Sequence, residues 1–445
     1  MAIKVGMVSL GCAKNQVDGE MLMANLKNAG FELCDDAALA DVAIVNTCGF
    51  IDSAKQESID EILELATLKK EGRIKKIVVT GCLAERYREE IHKELPEVDG
   101  VFGIGANADI AACIESAMND FTESFPEKNK MPLCGERELS TPSYFAYIKI
   151  AEGCDNKCTY CAIPMIRGGY RSRPKADILA ESIEEEARGL VENGAKELIL
   201  IAQDTTRYGI DLYGEYSLAK LMRRLCKIDG LKWLRVLYCY PDALTDELLE
   251  TMAEEEKIVK YIDLPLQHAS ARVLKRMNRT GDRESLTALM KKIREKIPGV
   301  TLRTTLITGF PGETEEEFTE LAEFVKDIEF ERLGCFAYSQ EEGTPAALMP
   351  DQIDDEVKNH RAEIIMESQM NIMDRLGEKQ IGRDITVLTE GFDRYAECWF
   401  GRSAMDAPDI DGKVFFSAET KPYYGEMVTV HVDEAIDGDL FGTRV

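Results

Sequence analysis

Three cysteines in the middle of the chain have the residue type and spacing of an iron–sulfur ligand set. Cys154, Cys158 and Cys161 form a C-x-x-x-C-x-x-C triplet within residues 151–173. Three thiolates can hold three irons of a cubane cluster and leave the fourth iron open to a small molecule, whereas ferredoxin-type carriers use four cysteines. A zinc site would need a fourth ligand nearby, but no cysteine or histidine follows within thirty residues. The alternative is three buried structural cysteines, which need no such spacing.

The N-terminal third carries a second set of three cysteines at equivalent positions. Cys12, Cys48 and Cys82 each lie in a short polar turn after a strand-like run, in the sequences SLGC, VNTC and VTGC. Ligands bind beyond the carboxyl ends of parallel strands, so these turns should converge on one edge of a sheet. We therefore predict a second site with three thiolates. Coincidence is the alternative, since Cys34 and Cys113 lie elsewhere in the same region.

Length, charge and cysteine content limit the class of protein. The chain has 445 residues, which predicts two or three domains. It has no apolar run of membrane-spanning length, and it begins with a strand-like run rather than a signal peptide, so we expect a cytoplasmic protein. Its thirteen cysteines then indicate metal binding rather than disulfides. The formal net charge of −27 repels nucleic acid at long range and favours basic partners.

Strand-like and helix-like segments alternate in the N-terminal part, which predicts an α/β domain with an open parallel sheet over residues 1–120. We predict strands at 3–10, 41–46, 76–80 and 100–104, and helices at 16–29, 52–70, 84–94 and 107–118. Residues 121–143 lack periodicity and contain three prolines, so they are predicted to be a linker.

A second alternation over residues 144–377 predicts six βα units and hence a partial TIM-like barrel. The predicted strands are 145–151, 197–202, 232–238, 261–266, 300–308 and 331–338, and the predicted helices between them include 177–193 and 283–296. In such a barrel the functional groups lie at the C-terminal ends of the strands.

Several of these strand ends carry candidate ligand contacts. Gln203 ends the second strand, and the sequence TGFPGET, with Gly309, Gly312 and Glu313, ends the fifth. The two glycines let the backbone approach a ligand closely, or they simply form a turn before the next helix. His268 ends the fourth strand, where it is either a ligand contact or a hydrogen-bonded structural histidine.

The polar residues near the two cysteine sets have two possible roles each. Arg167, Arg171 and Arg173 follow the triplet and can bind a carboxylate bidentately, or they form ordinary ion pairs with the surplus acids. Asn15 and Asn46 lie near the N-terminal turns. They either donate hydrogen bonds to cluster sulfurs or cap turns and helices.

The C-terminal part begins with a charged helical stretch at 351–376. Short strands separated by turn residues over 378–445 then predict a small OB-like β-barrel of about five strands. Such barrels often bind RNA through basic grooves. This one carries seven Lys and Arg against fourteen Asp and Glu, a net charge of −7, so we predict that it faces a basic protein instead.

With these parts in place, the chain resembles the methylthiotransferase family of radical S-adenosylmethionine (SAM) enzymes along essentially its whole length. The triplet is similar to the superfamily signature, and the family has the same order of an N-terminal cluster domain, a radical SAM barrel and a TRAM β-barrel. The stretches SLGCAKNQVDGE, DLPLQHAS, TTLITGFPGETEEEF, YSQEEGTPA and GRSAMDAPDIDG look like the branch that modifies ribosomal protein S-twelve rather than tRNA. Gly19 stands where a serine is common, with no consequence for the ligands.

The resemblance implies two [4Fe–4S] clusters, with SAM bound at the open iron of the barrel cluster, and the ligands Cys12, Cys48, Cys82, Cys154, Cys158 and Cys161. It implies that a 5′-deoxyadenosyl radical removes hydrogen from the β-carbon of an aspartate of protein S-twelve. A methylthio group from the N-terminal cluster site, methylated by a second SAM, then replaces that hydrogen. The alternative within the family is a tRNA adenosine methylthiotransferase. The alternative outside it is a non-catalytic iron–sulfur electron carrier or RNA-binding adaptor.

Further contacts and partners follow from the same resemblance. The predicted SAM contacts are Tyr160, Gln203, Gly309, Glu313 and Arg173. The predicted partners are the basic ribosomal protein, free or in the small subunit, and an external electron donor. No coiled coil or association patch is visible in the sequence, so we expect a monomer.

Overall fold

The computed structural model describes residues 2–174 and 183–445, which form three consecutive units. The N-terminal unit is built on a parallel six-stranded sheet in the order β2-β1-β3-β4-β5-β6. Its elements are β1 (Lys4–Ser9), α1 (Ala13–Asn28), β2 (Glu32–Cys34), β3 (Val42–Thr47), α2 (Asp52–Lys70), β4 (Lys76–Gly81), α3 (Cys82–Arg86), α4 (Arg88–Glu94), β5 (Gly100–Phe102), α5 (Ile110–Ala117) and β6 (Thr122–Ser124).

The sheet matches the predicted one except at its two edges. The four predicted strands are present, and the central strand β3 is buried at every residue because apolar clusters cover both faces. Strands β2 and β6 have three residues each, too few for a periodic signal. Strand β6 extends the sheet into residues predicted to be a linker. The helix predicted at 84–94 is divided into α3 and α4 at Tyr87.

The middle unit is an open barrel of six parallel strands in two sheets of three, β11-β10-β7 and β12-β13-β14. A bridge between Leu234 and Ile258 lies where the two sheets meet. The elements are β7 (Phe145–Lys149), β8 (Ala151–Glu152), α6 (Ile163–Arg167), β9 (Arg171–Ser172), α7 (Ile183–Glu192), β10 (Glu197–Ile201), α8 (Ile210–Tyr213), α9 (Leu218–Leu225), β11 (Trp233–Val236), α10 (Asp246–Glu254), β12 (Tyr261–Asp263), α11 (Ala271–Arg276), α12 (Arg283–Lys296), β13 (Thr301–Thr308), α13 (Glu315–Ile328), β14 (Arg332–Ala337) and α14 (Asp355–Glu378).

Alternation along the barrel strands separates an outer apolar face from the interior. On β13, Leu302 and Leu306 pack under the surrounding helices, whereas Arg303, Thr305 and Ile307 are partly exposed towards the interior. The first part of the helix predicted at 177–193 lies outside the described residues. The partial TIM-like barrel is confirmed.

The C-terminal unit is a closed five-stranded barrel in the order β15-β16-β17-β19-β18, as predicted. Its strands are β15 (Asp384–Asp393), β16 (Cys398–Ser403), β17 (Val414–Ser417), β18 (Met427–Ile436) and β19 (Asp439–Arg444).

The stretch 401–412 of this unit closes the barrel of the middle unit at the N-terminal ends of its strands. The Tyr261 hydroxyl donates a hydrogen bond to Asp411 at 2.6 Å, and Arg303 lies 3.5 Å from the same carboxylate. Arg332 pairs with Asp406. The sequence GRSAMDAPDIDG therefore holds the two units together and leaves the opposite, C-terminal end of the barrel for the site.

A buried carboxylate, Glu197 at the start of β10, anchors this contact. It accepts from Arg235 at 2.7 Å and from Arg402 of the C-terminal unit at 2.8 Å. Burial opposes ionisation of Glu197, but Arg402 and Arg235 outweigh it and hold the pKa of the carboxyl below its usual 4.5. This ionised form stabilises the contact above pH 4.5, and the stabilisation is lost as the pH falls towards the lowered pKa.

The Glu197→Gln variant should lose about 3–5 kcal/mol of unfolding free energy, since it leaves the buried guanidinium of Arg235 without a carboxylate and removes one of the two carboxylates that bind Arg402. The chain has two tryptophans, Trp399 in the C-terminal unit and Trp233 beside the contact, so urea unfolding followed by their fluorescence reports the loss. The matched control is Glu184→Gln, which removes a surface ion pair with Arg224 and should cost about 1 kcal/mol at most. Equal urea midpoints of unfolding for Glu197→Gln and Glu184→Gln would contradict this account of the contact.

Candidate active site

A glycine flanks each of the three N-terminal cysteines and lets their turns pack together. A Cβ placed on Gly11 would lie 2.8 Å from the Sγ of Cys48. A Cβ on Gly49 would lie 2.7 Å from the backbone of α3, and one on Gly81 would lie 2.5 Å from the carbonyl oxygen of Thr47. The three turns are thus in backbone contact at the carboxyl edge of the sheet, as their repeated position predicts.

The Gly81→Ala variant should destabilise this edge by about 2–4 kcal/mol, because Gly81 has a φ of +92° and its new methyl group would overlap Thr47. Hydrogen exchange of the β3 and β4 amides measures the loss locally. Gly30→Ala is the matched control, since Gly30 has a φ of +93° with nothing within 4 Å and should cost only about 1 kcal/mol of strain. Similar protection in both variants would mean that the turns do not depend on this close approach.

The electrostatic environment of the N-terminal thiols is uneven. Cys12 precedes α1 as its N-cap residue. Burial opposes its ionisation, but Lys14 and Arg167 outweigh burial and lower the pKa of Cys12. Burial raises the pKa of Cys48 to about 12, and it also raises that of Cys82 despite the nearby Arg167. Cys12 and Cys82 both add to the raised pKa of Cys48, and Cys12 adds to that of Cys82. The three thiols therefore form one group, which we call the N-terminal triad.

The loop that carries Cys154, Cys158 and Cys161, the barrel triad, is held by the segment after α11. The Thr159 amide donates to the carbonyl of Met277 at 3.0 Å, and the Asn278 side chain donates to a carbonyl of the loop at 3.0 Å. These contacts fix the loop at the C-terminal ends of the barrel strands.

A cation and two phenol rings lie beside the barrel triad. Arg279 lies 3.9 Å from the Sγ of Cys158, stacks over the ring of Tyr240 at 4.3 Å, and donates to the carbonyl of Pro265 at 2.6 Å. Tyr160 is partly buried against the barrel core next to the same cation. The positive charge beside Cys158 is therefore supplied by Arg279, which lies 121 positions later in the chain.

Burial dominates the acid–base properties of the barrel thiols. It raises the pKa of Cys154 to about 11 and that of Cys161 to about 12, and the neighbouring thiols of the triad add to the effect. Thiolate ligands must be deprotonated, so binding of a metal here would release protons.

Helix packing places the two triads next to each other. The side chain of Cys82, at the start of α3, lies in one apolar cluster with Ala162 and Ile166, which lie one and five residues after Cys161. Arg167, at the end of α6, donates to the Sγ of Cys82 at 3.2 Å. The two sets of thiols therefore share one interface between the N-terminal unit and the barrel.

Family models match the three units separately. The Radical SAM superfamily model matches residues 148–325, and the TRAM domain model matches residues 381–445. The model described as Uncharacterized protein family UPF0004 matches residues 4–103.

Curated relatives match almost the whole chain. The ribosomal protein uS12 methylthiotransferase RimO of Desulforamulus reducens is 48% identical over 98% of this chain and 98% of its own length. The proteins of the same name from Lachnoclostridium phytofermentans and Clostridioides difficile are 48% and 46% identical, each over 99% of this chain, and over 100% and 98% of their own lengths. This chain belongs to the RimO family of radical SAM methylthiotransferases.

A solved structure outside the RimO family shares the fold. The radical SAM methyltransferase TsrM from Kitasatospora setae, with cobalamin and a [4Fe–4S] cluster bound, superposes with a TM-score of 0.59 over 78% of this chain and 74% of that chain. The sequence identity is 15%, so the likeness concerns the fold alone.

The residues of this RimO-family chain fit the two clusters and SAM that the family uses. All thirteen cysteines are free thiols, so neither triad is consumed by a disulfide. At the strand ends, Gln203 and Gln267 each have a buried Oε1 without a hydrogen-bond partner among the described residues. Within the same residues, no group of three His, Cys, Asp or Glu side chains is arranged to hold a single metal ion. Each triad offers three free thiols, the ligand type of an iron–sulfur cluster, and the two glutamine oxygens are acceptors available to a polar ligand.

Two of the predicted SAM contacts belong to buried networks of the protein. Gln203 donates to Glu152 at 2.5 Å. Glu313 accepts from the Gly309 amide at 2.9 Å and from Arg361 at 2.8 Å, and its Oε2 lies 3.3 Å from the Nε2 of His268. Glu313 therefore fixes the backbone at Gly309, and its own contact with SAM stays a prediction.

His268 has a structural role on its other ring nitrogen. Its Nδ1 accepts from the Ser270 amide at 2.9 Å, which leaves Nε2 as the protonated nitrogen of the neutral ring. That nitrogen is close to Glu313 but is not aligned for a hydrogen bond. These contacts agree with the second alternative for His268, a hydrogen-bonded structural histidine.

The three arginines after the barrel triad point to three different places. Arg173 is buried and pairs with Glu186 at 2.6 Å, and Arg171 donates to the carbonyl of Asn129 at 2.6 Å. Arg167 reaches the N-terminal triad instead. They do not form one carboxylate site, and the SAM contact predicted for Arg173 stays a prediction.

Asn15 and Asn46 hold the N-terminal turns. Asn15 donates to the carbonyl of Leu10 at 2.8 Å and to that of Asn46 at 3.2 Å, and Asn46 donates to the carbonyl of Asn15 at 2.8 Å. These hydrogen bonds to the backbone agree with the interpretation that the two asparagines cap and support the turns.

Sequence reasoning missed the charged residues that join the triads to the rest of the molecule. Asp18, Lys149, Glu152 and Arg279 are buried, although charged side chains are rarely so. Asp18 lies in the stretch SLGCAKNQVDGE, and Lys149 interrupts the apolar run FAYIKIA of the predicted strand 145–151. A charged residue inside an otherwise apolar strand was the available signal.

Proposed function

We propose that this chain is a ribosomal protein uS12 methylthiotransferase that replaces a hydrogen on the β-carbon of an aspartate with a methylthio group. In this proposal Cys154, Cys158 and Cys161 hold one [4Fe–4S] cluster, and Cys12, Cys48 and Cys82 hold the other. The relatives named RimO, similar over nearly their whole lengths, support the reaction. The observation that carries the proposal is the contact of Cys82 with Ala162 and Ile166, which brings both thiol triads to one interface.

The chain supplies position and exclusion of water. When bound, the clusters and SAM supply the radical that removes hydrogen from the substrate and the methylthio group that replaces it. The N-terminal unit lies over the barrel on two sides. On one side, α1 places Val17 and Met21 against barrel residues such as Tyr147. This cover keeps water away from the interface between the triads.

On the other side, Glu341 locks the N-terminal unit to the loop after β14. Its carboxylate binds Lys55 at 3.0 Å and Arg86 at 2.6 Å, and the Ser339 hydroxyl donates to it at 2.6 Å. The same loop contacts the barrel triad, because the Ala346 amide donates to the carbonyl of Thr159 at 2.9 Å. The stretch YSQEEGTPA thus contacts the surroundings of both triads.

Charge supports a basic protein substrate. The chain has a net charge of −27, and its C-terminal barrel has a net charge of −7. A field of this sign attracts a basic ribosomal protein and opposes tRNA, mainly through the rate of encounter. In the described part of the chain, no helix is both long and apolar enough to cross a membrane. We place the enzyme in the cytoplasm, as a monomer with an external electron donor.

Expression in a bacterial host that lacks its own ribosomal methylthiotransferase tests the proposal. Intact-mass spectrometry of protein S12 should show the gain of one methylthio group, located on one aspartate by fragmentation. Analysis of modified tRNA nucleosides from the same cells should show no change. The control strain carries a variant with all three cysteines of the barrel triad replaced by alanine. A methylthiolated adenosine with unmodified S12 would overturn the proposal in favour of the tRNA enzyme.

A further inference from the structure

One side chain, Arg167, contacts both sides of the interface between the triads. Its Nη2 donates to the Sγ of Cys82 at 3.2 Å and to the Oδ1 of Asn15 at 3.2 Å. Its Nη1 donates to Asp18 and, at 3.2 Å, to Glu152. Cys82, Asn15 and Asp18 belong to the N-terminal unit, whereas Glu152 and Arg167 belong to the barrel. A single planar guanidinium therefore fixes two helices of the N-terminal unit, α1 and α3, against the barrel.

These contacts lie within a buried and balanced group of charges. Lys149 binds Asp18 and, at 3.0 Å, Glu152, and both carboxylates also bind Arg167. The four side chains are at most 2% exposed, and their charges sum to zero when all are ionised. Arg167 is therefore a permanent cation held in one orientation.

Arg167 also follows the barrel triad closely in sequence. It ends α6, whose residue Ile166 and the preceding Ala162 pack against Cys82. Any shift of the barrel loop moves α6, and the guanidinium transmits this shift to Cys82 and to α1, which begins directly after Cys12. A second cation, Lys14, acts on Cys12 and lies over the ring of Tyr238 at 3.2 Å.

We propose that Arg167 is a positioning residue that couples the two cluster sites. It holds the Cys82 thiolate and α1 at a fixed place relative to the barrel triad, and it provides a positive charge and a hydrogen bond on one ligand sulfur of the N-terminal cluster. The coupling between the two sites rests on the proposed function, because it concerns the transfer of a methylthio group to the substrate. The effect of the Arg167 charge on the cluster potential can be measured without substrate.

Two consequences follow for the Arg167→Gln variant. Loss of a cation next to a ligand sulfur makes addition of an electron less favourable, so the midpoint potential of the N-terminal cluster should become more negative. Loss of the bridge should lower the amount of methylthiolated protein formed per 5′-deoxyadenosine by about tenfold, since small misplacements cost such factors. SAM cleavage at the barrel triad should fall much less than formation of the methylthiolated protein, because the sulfur to which Arg167 donates belongs to Cys82 of the N-terminal triad.

The potential is measured in full-length protein whose barrel triad is replaced by alanine, so that only the N-terminal cluster gives an EPR signal. In that background, Arg167→Gln should shift the potential and alter the spectrum, and Arg167→Lys should shift the potential less because the charge is kept. The product ratio is measured with both triads intact. In Arg167→Lys this ratio should still fall, because an ammonium cannot bind Cys82, Asp18 and Glu152 together. Arg223→Gln, which removes a surface cation paired with Glu247, is the matched control.

A charge-balanced variant covers the case in which Arg167→Gln fails to fold. In Arg167→Gln combined with Asp18→Asn, the remaining pair of Lys149 and Glu152 keeps the buried group neutral. This double variant should bind iron at both triads and show the same shifted potential and reduced product ratio. A wild-type potential together with a wild-type ratio in the double variant would overturn the proposal. Failure of the wild-type enzyme to modify S12 would instead overturn the proposed function, and the potential would still test the role of Arg167.

Discussion

The Cys158→Ala variant should release no detectable 5′-deoxyadenosine from SAM under reducing conditions. The expected loss exceeds about 100-fold, because removal of a mere outer-shell partner of a metal ligand already costs about 10–100-fold. Cys158 is the thiol of the barrel triad closest to Arg279, whose guanidinium lies 3.9 Å from its Sγ. The measurement is chromatography of the products after anaerobic incubation with dithionite and SAM.

The matched control is Cys226→Ala, since Cys226 is buried in the same unit but lies in the core beside α9. That variant should cleave SAM at a rate close to the wild type. Iron bound at the N-terminal triad should be unaffected in both variants. Continued SAM cleavage by Cys158→Ala would show that the assignment of the two triads is wrong. Absence of 5′-deoxyadenosine from the wild-type protein would instead favour the non-catalytic electron carrier.

The Cys82→Ala variant should cleave SAM but fail to modify the ribosomal protein. The N-terminal triad loses one of its three thiols, and Arg167 loses its sulfur acceptor, while the barrel triad keeps all of its contacts. We expect methylthiolated S12 to fall more than about 100-fold, while 5′-deoxyadenosine formation stays within about twofold. Mass spectrometry of S12 and chromatography of the nucleoside, performed on one reaction, give both values.

Cys113→Ala serves as the control for this second experiment. Cys113 is buried in the same unit, on α5, and packs in the apolar cluster on one face of the sheet. Its replacement should leave both products near wild-type levels. Full methylthiolation by Cys82→Ala would mean that the N-terminal triad has no part in sulfur transfer.

Strand order and the position of the N-terminal triad follow from local sequence. The turns SLGC, VNTC and VTGC repeat one position in three βα units, and parallel strands must bring such turns to one edge. Gly11 and Gly81 lie within two of these motifs, and Gly49 directly follows the other. The sequence alone therefore predicts the triad, although the close approach of Gly81 to Thr47 appears only when the strands are paired.

Contacts between the units depend on packing over long sequence separations, which local patterns do not encode. In the sequence, Arg167 is one of three arginines that follow the barrel triad. In the structure it binds Cys82, which lies 85 residues earlier in the chain. Arg173 pairs with Glu186 because a buried guanidinium needs a carboxylate, and an acidic chain offers many candidates. The choice of partner is made by the docking of α6 against α3, which no periodicity predicts.

The stretch GRSAMDAPDIDG illustrates the same limit at the opposite end of the barrel. Its acidic residues are counted in the net charge of the C-terminal unit, which predicts an outward role towards a basic partner. In the structure Asp406 and Asp411 instead bind Arg332, Arg303 and Tyr261 of the middle unit. A charge count cannot separate acids that face solvent from acids that are paired at an interface.

Iron and acid-labile sulfide content tests the central claim most directly, namely that each of the two triads holds its own cluster. Anaerobically purified wild-type protein should contain about eight of each per chain, as expected for two cubanes. Two triple variants, one with Cys154, Cys158 and Cys161 replaced by alanine and one with Cys12, Cys48 and Cys82 replaced, should each contain about four. A wild-type content of about four, unchanged in one of the triple variants, would contradict the account.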